Sequence, residues 1–181
     1  MNNLSKENKR FGWVITGSGH YFEECLDLMS KFGKFDLFVS KAAEEVVRMY
    51  KKTNPNFPKN CRIFRDTTAS SAPVGFFYKN LYHTLVVAPA TSNSIAKFVA
   101  GISDNLATNI FAQAGKCKVP AIVLACDTEP EHDTKAPSEM VKVFPRKIDL
   151  ENTEKLRSFE LTTVVNSVEE LGDILNNINN V

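Results

Sequence analysis

Residues 85–116 read LVVAPATSNSIAKFVAGISDNLATNIFAQAGK, and this stretch decides the fold. Residues 85–88 form an apolar run long enough for one buried strand. Pro89 predicts the end of that strand, because proline has no N–H to donate to a ladder. The small and hydroxylic residues that follow, including Ala90, Thr91, Ser92 and Asn93, predict a polar loop.

Two amphipathic helices are predicted after this loop. Ile95, Phe98 and Val99 recur at helical spacing until Gly101 interrupts the pattern. Ser103 is a candidate N-cap for the second helix, with Asp104 in its first turn. The apolar face of that helix, which Gly115 is predicted to end, consists of Ile102, Leu106, Ile110 and Ala114. Helices that begin beside a strand end mark the ligand site of an open α/β sheet.

The amino-terminal part of the chain predicts a strand, a glycine turn and a helix. Residues 11–16 are apolar up to Thr16, and Gly17, Ser18 and Gly19 follow as a turn. The helix after them carries Phe22 and further apolar residues at helical spacing. Backbone N–H groups of such a turn, together with the start of a helix, bind anions.

The details of this turn favour a mononucleotide over a dinucleotide. Phe22 stands where the dinucleotide fingerprint has its third glycine. The next predicted strand, 36–39, ends in Ser40, where a dinucleotide site requires a carboxylate for the ribose. Gly17, Ser18 and Ser40 are therefore predicted to hold a phosphate through N–H and hydroxyl donors, away from carboxylates. The alternative is a glycine turn with a purely structural role.

Strands that alternate with helices predict an α/β fold, a doubly wound parallel sheet of the Rossmann or flavodoxin-like kind. The 181 residues suit a single domain with residues 1–10 as a flexible tail. The other predicted segments are a helix at 42–51, a loop at 52–60, strands at 62–65, 121–125 and 161–165, a polar loop at 126–135, an irregular stretch at 140–150 and a helix at 168–178.

Charge and hydropathy argue against several classes of protein. The chain has 22 basic and 21 acidic residues, so no basic face for nucleic acid is expected. No apolar run approaches the roughly 20 residues of a membrane helix. The polar residues 1–10 do not resemble a secretory signal. We therefore expect a cytoplasmic protein with reduced cysteines.

Several side chains have both a functional and a structural interpretation. His20, beside the glycine turn, either contacts a ligand or simply starts a helix. Cys126 either lines the crevice or is a small buried hydrophobe. The loop that contains His132 is interpreted as solvated, with no metal site. His83 is predicted at the surface, and residues 66–72 are predicted to lie near the ligand.

The chain resembles the homo-oligomeric flavin-containing cysteine decarboxylase superfamily. The resemblance rests on PATSNSIAKFVAGISDNLAT, which is similar to the PASANT-type and GIADNL-type motifs. It extends over roughly residues 11–135, and the archaeoflavoprotein and dihydromethanopterin reductase (acceptor) branch fits best. Three further segments support that branch: WVITGSGH near the start, AAEEVVRMY at 42–50 and QAGKCKVPAIVL at 113–124.

The resemblance implies an FMN-binding flavoprotein that exchanges electrons, since a flavin carries its own redox chemistry. The implied electron donor is external, ferredoxin or NAD(P)H, and the implied acceptor is a reduced pterin. The flavin would lie between subunits of a homo-oligomer, a trimer or a multiple of one. An aromatic cluster at 76–78 either packs in the core or against a subunit, or faces the flavin. Asn93 would also be available to a substrate. The predicted cofactor contacts are Thr16, Gly17, Ser18, Gly19, Ser40, Pro89, Ala90, Thr91, Ser92, Asn93, Asp104, Asn105 and Leu106.

Departures from the superfamily pattern leave other functions open. The decarboxylases place a histidine where this chain has Gly75, and a methionine-containing segment where it reads ACDTEPEH at 125–132. Residues 136–159 contain no cysteine of the kind that some reductase relatives use for an iron–sulfur site. A decarboxylase of the same superfamily, a prenyl-flavin-making transferase and a flavin-binding oligomer without turnover remain the alternatives.

Overall fold

The computed structural model describes residues 9–50, 57–67, 71–136 and 138–179, with side chains of the third helix given from Pro73 onward. Residues 1–8 of the predicted tail and much of the predicted loop at 52–60 lie outside this part. The helices and strands are, in order, β1 (Arg10–Ile15), α1 (Phe22–Met29), β2 (Phe35–Val39), α2 (Lys41–Tyr50), β3 (Arg62–Arg65), α3 (Ser71–Tyr78), β4 (Tyr82–Ala90), α4 (Ser92–Ala100), α5 (Leu106–Lys116), β5 (Ala121–Ala125), β6 (His132–Lys135), β7 (Met140–Val143), α6 (Lys147–Arg157), β8 (Thr162–Val165) and α7 (Val168–Asn179).

Six strands form one parallel sheet in the order β3-β2-β1-β4-β5-β8. The predicted doubly wound α/β fold is therefore confirmed. The strand order runs one way from β1 and the other way from β4, so these two neighbours form the topological switch point. Such a sheet binds its ligands outside the carboxyl ends of the strands at this point.

Both faces of the sheet are covered because apolar side chains on each strand alternate between them. In β1, Trp13 and Ile15 pack with α1, α2 and α7 on one face. Val14 points to the other face and packs with α3, α4, α5 and α6. All three are fully buried. The sheet is thus the rigid middle layer from which the loops at the carboxyl edge project.

The central strand β4 is longer than the sequence predicted. It continues through Pro89 to Ala90, so the prediction that Pro89 ends it was wrong. Proline lacks a donor, but its carbonyl still accepts the backbone N–H of Thr16 at 3.2 Å and the Thr16 hydroxyl at 2.9 Å. The ladder to β5 shifts register between Val87 and Ala90 to accommodate it.

The second predicted helix begins two residues later than expected. Asn105, not Ser103, caps α5, and its side-chain oxygen accepts from the Thr108 N–H at 3.0 Å. Ile102 lies before the helix and is 46% exposed, so it is not part of the buried face. Gly115 lies inside α5, which ends at Lys116.

The segment after β5 differs most from the prediction. The region predicted as a loop and an irregular stretch contains an antiparallel hairpin of β6 and β7, followed by α6. The buried positions of α6 include only one apolar residue, Leu156, beside Asp149 and Thr153. Without an apolar stripe, the periodicity that identifies a helix is absent from this segment.

Two further predictions on single residues are corrected. His83 is half-buried in β4, and its ring contacts Phe11 edge to face with centroids 4.4 Å apart. Arg10 begins β1 and is not part of a tail. In the aromatic cluster, Phe77 is buried in the core, whereas Tyr78 is exposed. Among the helices described, none has the length and apolar character needed to cross a membrane.

Candidate functional site

A cleft of about 690 Å³ opens at the carboxyl edge of the sheet, where the topological switch predicts a ligand site. The loops after β1, β2, β3 and β4 contribute to it. We call it the α2 cleft, since α2 begins at its wall. Its lining consists of Gly17, Ser40, Lys41, Ala42, Glu45, Asp66, Thr67, Thr91, Asn93, Ser94, Lys97, Asp104, Asn105 and Ala107.

Three helices begin at the α2 cleft: α2, α4 and α5. Each start is capped by the residue that precedes the helix. Ser40 Oγ accepts from the Ala43 N–H at 3.1 Å, and Thr91 Oγ1 accepts from the Ser94 N–H. Asn105 does the same for α5. Because helix amino termini carry partial positive charge, their convergence favours an anionic ligand.

Gly17 brings the loop after β1 close to the start of α2. A Cβ atom built on Gly17 would lie 2.5 Å from the Cβ of Ala42, so only glycine fits this approach. Gly19 is equally close to its neighbour, because a Cβ atom built on it would lie 2.5 Å from the Tyr50 hydroxyl. The loop after β1 therefore runs directly against the first turn of α2, a close approach of backbone to helix start that phosphate sites commonly use.

The α2 cleft contains charges of both signs, although a phosphate site without carboxylates was predicted from the sequence. Lys97 Nζ lies 2.7 Å from Asp104 Oδ2, and this hydrogen bond lowers the pKa of Asp104. Asp66 Oδ1 accepts the Leu106 N–H at 3.2 Å. Two of the carboxylates in this cleft therefore already have partners within the protein, which limits their repulsion of an anion.

Five predicted site residues lie behind the α2 cleft and support it. The Thr16 hydroxyl accepts the Thr91 N–H at 2.9 Å and donates to Pro89, which fixes the start of α4. Ser92 is buried and its hydroxyl donates to Asp127 Oδ2. Pro89, Ala90 and the side chain of Leu106 do not line the α2 cleft.

A second cleft, of about 680 Å³, lies on the other side of Gly17 and Thr91, which line both. We call it the hairpin cleft, because β6 and β7 form one wall. Exposed Phe144 and Met49 line it, and so do Ser18 and Gly19 from the predicted site. The hairpin is held over the loop after β1 by Tyr50, whose hydroxyl donates to the Lys135 carbonyl at 2.8 Å.

Two histidines, one aspartate and one threonine form a connected group in the hairpin cleft. The rings of His20 and His132 lie 4.6 Å apart. His132 Nε2 is 3.8 Å from Asp127 Oδ1, and His20 Nδ1 is 2.9 Å from Thr134 Oγ1. Burial and, to a lesser extent, His132 lower the pKa of His20 to about 4, while Asp127 opposes this shift. His20 is therefore neutral at pH 7. It lines the cleft and lies in the turn before α1, so the prediction that it starts the helix was wrong.

Both interpretations of Cys126 from the sequence are correct. It is buried at the end of β5, yet it also contributes to the floor of the hairpin cleft. Its thiol donates to the Ser18 hydroxyl at 3.2 Å, and burial raises the pKa of the thiol to about 12. Ser18 in turn donates to the His20 carbonyl at 3.2 Å. Both side chains thus stabilise the turn after β1.

Sequence reasoning missed several residues of the two clefts. Lys97 was not among the predicted site residues, and its pairing with Asp104 spans the loop that joins α4 to α5. Asp127 and His132 were assigned to a solvated loop. Only their position in the sequence could have indicated a role for these two residues, because they follow a buried strand and therefore lie at the carboxyl edge of the sheet. Arg146, which pairs with Asp149 at 2.7 Å, follows a hairpin that the sequence did not reveal.

Comparison with known proteins gives consistent matches. A family model described as Flavoprotein matches residues 1–179. Dihydromethanopterin reductase (acceptor) of Methanosarcina mazei is 36% identical over 136 residues, which is 67% of this chain and 56% of that protein. A protein of Methanocaldococcus jannaschii, MJ0730, is 33% identical over 175 residues and matches 92% of this chain and 94% of its own length.

Among solved structures, DmrB of Burkholderia xenovorans in complex with FMN has a TM-score of 0.86 and 48% sequence identity. The match covers 96% of this chain and 97% of DmrB, which is described as a cubic protein cage for redox transfer. These matches confirm the resemblance predicted from the sequence. The chain spans 56% of the length of the dihydromethanopterin reductases that it matches.

Proposed function

The chain belongs to the Flavoprotein family, and from this we propose that it binds FMN non-covalently in the α2 cleft and relays electrons to an acceptor. The observation that carries the proposal is the close approach of Gly17 to the start of α2 at the topological switch point. The similarity to DmrB, solved with FMN, supports the same cofactor. FMN supplies redox chemistry when bound, and the protein orients it.

We propose that the FMN phosphate is held by the backbone of Gly17 and the first turn of α2. The Ser40 hydroxyl accepts an N–H of its own helix and retains its proton to donate to a phosphate oxygen. Lys41 adds a positive charge at the same wall of the cleft. Ser18 and Gly19 complete the turn, with the Ser18 hydroxyl directed to the protein backbone.

The flavin ring would lie along the starts of α4 and α5. Thr91, Asn93, Asp104 and Asn105 line that part of the α2 cleft. Thr16, Pro89, Ala90, Ser92 and Leu106 would act from behind, by fixing the backbone that contacts the ring. Asn93 is exposed and offers an amide to the polar edge of a substrate.

We propose a dihydropterin as the acceptor, since curated relatives are named dihydromethanopterin reductase (acceptor). The electrons would come from ferredoxin or NAD(P)H. A decarboxylase would need a proton-transferring side chain where this chain has Gly75. A Cβ atom placed on Gly75 would have no contact within 4 Å among the described residues beyond its own helix. Bleaching of the flavin by a donor, without carbon dioxide release from 4′-phosphopantothenoylcysteine, is the result that fits a reductase.

We also propose a homo-oligomer, a trimer or a multiple of one, in which the flavin contacts two subunits. DmrB is described as a cubic cage, and another protein of the same fold is described as dodecameric. Tyr78 is 72% exposed on α3 and offers apolar area to a neighbouring subunit. Light scattering of the FMN-loaded protein tests this proposal, and a monomer mass would contradict it.

The experiment for the cofactor site is Ser40→Asp, compared with Ser167→Asp. Both serines cap a helix, since Ser167 Oγ accepts the Glu170 N–H at 3.2 Å, and aspartate is an equally good cap. At Ser40 the new carboxylate would face the phosphate, so we expect FMN affinity at least about tenfold lower, or 1.4 kcal/mol. Ser167→Asp should bind FMN like the wild type.

Equilibrium titration followed by flavin fluorescence measures both affinities. The flavin-free variants should unfold at similar urea concentrations, which separates a binding effect from a folding effect. Equal FMN affinity in Ser40→Asp and Ser167→Asp would show that the phosphate site is assigned to the wrong residues.

A further inference from the structure

The hairpin cleft contains an acid–base group that electron transfer through a flavin does not itself require. It lies beside the α2 cleft, and the two clefts share Gly17 and Thr91. The reduction of a C=N bond needs a proton as well as a hydride, so the supply of this proton is a separate task. A side chain near the shared boundary of the two clefts is in the right place to carry it.

Asp127 connects the boundary between the two clefts to His132. The Ser92 hydroxyl, next to Thr91, donates to Asp127 Oδ2, and Asp127 Oδ1 lies 3.8 Å from His132 Nε2. The carboxylate is thereby fixed on one side and free to orient an imidazolium on the other. The Thr153 hydroxyl donates to the Asp127 carbonyl at 3.2 Å, which also fixes the backbone at this point.

The two imidazoles of this group have different surroundings. A pKa of about 4 keeps His20 neutral, and its position against Thr134 and Tyr21 keeps it fixed. His132 is the member that lies beside the carboxylate, with Nε2 3.8 Å from Asp127 Oδ1. The charged and titratable groups around the pair are Asp127, Cys126, Lys135, Arg146, Asp149, Tyr21 and Tyr50.

We propose that His132, oriented by Asp127, donates the proton that completes reduction of a C=N bond in a heterocyclic acceptor bound in the hairpin cleft. This role rests on the proposed function. FMN held in the α2 cleft would supply the hydride for the imine carbon when reduced, and the imine nitrogen takes one proton from the His132 imidazolium. The neutral imidazole then regains a proton from water. His132 is the catalytic residue, and Asp127 is a positioning residue.

The open cleft suits a planar ring. Phe144 and Met49 are 67% and 57% exposed at its rim, where they can cover the faces of a heterocycle. Both imidazoles lie in the same cleft, so the polar edge of the ring would meet His132. An apolar wall with a few polar groups is typical of sites for such ligands.

The test compares two oxidants of the photoreduced, FMN-loaded protein in stopped-flow experiments. The first is 7,8-dihydrobiopterin, a dihydropterin whose reduction consumes a proton, and the second is ferricyanide, which takes electrons only. In His132→Gln we expect flavin oxidation by the dihydropterin to slow about 100-fold or more. Oxidation by ferricyanide should remain at the wild-type rate. His83→Gln, at the amino edge of the sheet, is the matched control.

Asp127→Asn and Asp127→Glu test the positioning role. The asparagine variant should slow only the reaction with the dihydropterin and change its pH profile, and the glutamate variant should restore part of the rate. A second readout uses the flavin-free protein and the NMR titration of His20. Because His132 lowers and Asp127 raises the pKa of His20, His132→Gln should raise it and Asp127→Asn should lower it further.

The outcomes separate this proposal from the function on which it rests. If the protein fails to bind FMN, the proposed function is overturned first. A second outcome is that FMN binds and ferricyanide oxidises the reduced flavin. If 7,8-dihydrobiopterin then oxidises the reduced flavin equally fast in the wild type and in His132→Gln, or in neither, the role of His132 is overturned. An unchanged titration of His20 in both variants would likewise contradict the connected group.

Discussion

The two edges of the central sheet both carry charged side chains, but they use them in opposite ways. At the amino edge, β1, β2, β3 and β4 start around Asp36, which is fully buried. Its oxygens accept hydrogen bonds from Arg10 at 3.2 Å, from both Nε and Nη2 of Arg62, and from the Tyr82 hydroxyl at 2.7 Å. This carboxylate is satisfied entirely within the protein.

At the carboxyl edge, by contrast, polar groups line two open clefts. The helix starts, the Ser40 hydroxyl and His132 border space of about 690 and 680 Å³. At the amino edge the partners of the charge enclose it, whereas at the carboxyl edge the partners leave an open side that a ligand can reach. Variants at the amino edge should therefore change stability, and variants at the carboxyl edge should change binding.

The largest effect is expected from Asp36→Asn. The substitution leaves two arginines facing a neutral group in a buried position, which costs about 3 kcal/mol of unfolding free energy. This is near the lower end for a broken buried ion pair, because the side chains of Arg10 and Arg62 are 34% and 46% exposed. Urea denaturation measures the loss.

Asp173→Asn, on the exposed side of α7, is the control for Asp36→Asn and should unfold like the wild type. FMN affinity of the folded Asp36→Asn protein should be unchanged. A large loss of FMN affinity in this variant, without loss of stability, would erase the distinction between the two edges.

The next largest effect is expected from Gly17→Ala. The new methyl group would collide with Ala42 and push the loop after β1 away from the start of α2. We expect FMN affinity to fall at least about tenfold, or 1.4 kcal/mol, while stability falls less than in Asp36→Asn. Gly115→Ala, whose added Cβ would meet no described residue beyond its own helix within 4 Å, should keep full affinity.

The smallest effect concerns pH and His20. Its pKa in the folded protein is about 4, below the 6.5 of an exposed histidine, so the unfolded chain binds more protons between these values. The contribution of neutral His20 to the free energy of unfolding is therefore complete above pH 6.5 and is lost as the pH falls toward 4. Because the ring is only partly buried, we expect a loss of about 1 kcal/mol after allowance for solvent screening.

Urea denaturation of the flavin-free protein at pH 7 and pH 4.5 measures this loss, with His20→Gln as the reference. The variant lacks the titrating ring, so the difference between the two proteins isolates His20 from the carboxylates that also titrate in this range. If both proteins lose the same stability between the two pH values, the neutral state of His20 makes no contribution to folding.

The regions that the sequence predicted well are those whose folding depends on neighbours along the chain. Residues 11–15 and 121–125 contain no polar side chain, so their burial in a parallel sheet follows from composition. The turn at Gly17 is encoded within a few residues, whereas α4 begins at Ser92, inside the stretch that the sequence predicted as a polar loop. The placement of Ser40 at a helix start likewise follows from local sequence, and the sheet then brings it to the α2 cleft.

The sequence by itself thus determined the α/β fold and predicted the carboxyl edge as the ligand site, with part of the α2 cleft, because period and capping are local properties. Only the tertiary structure decided the hairpin cleft. The strand β6 pairs with β7, and α6 buries Asp149 and Thr153 instead of an apolar stripe, so neither has a local signature. The approach of His132 to His20 joins residues 112 positions apart, and such contacts arise only when the whole sheet has formed.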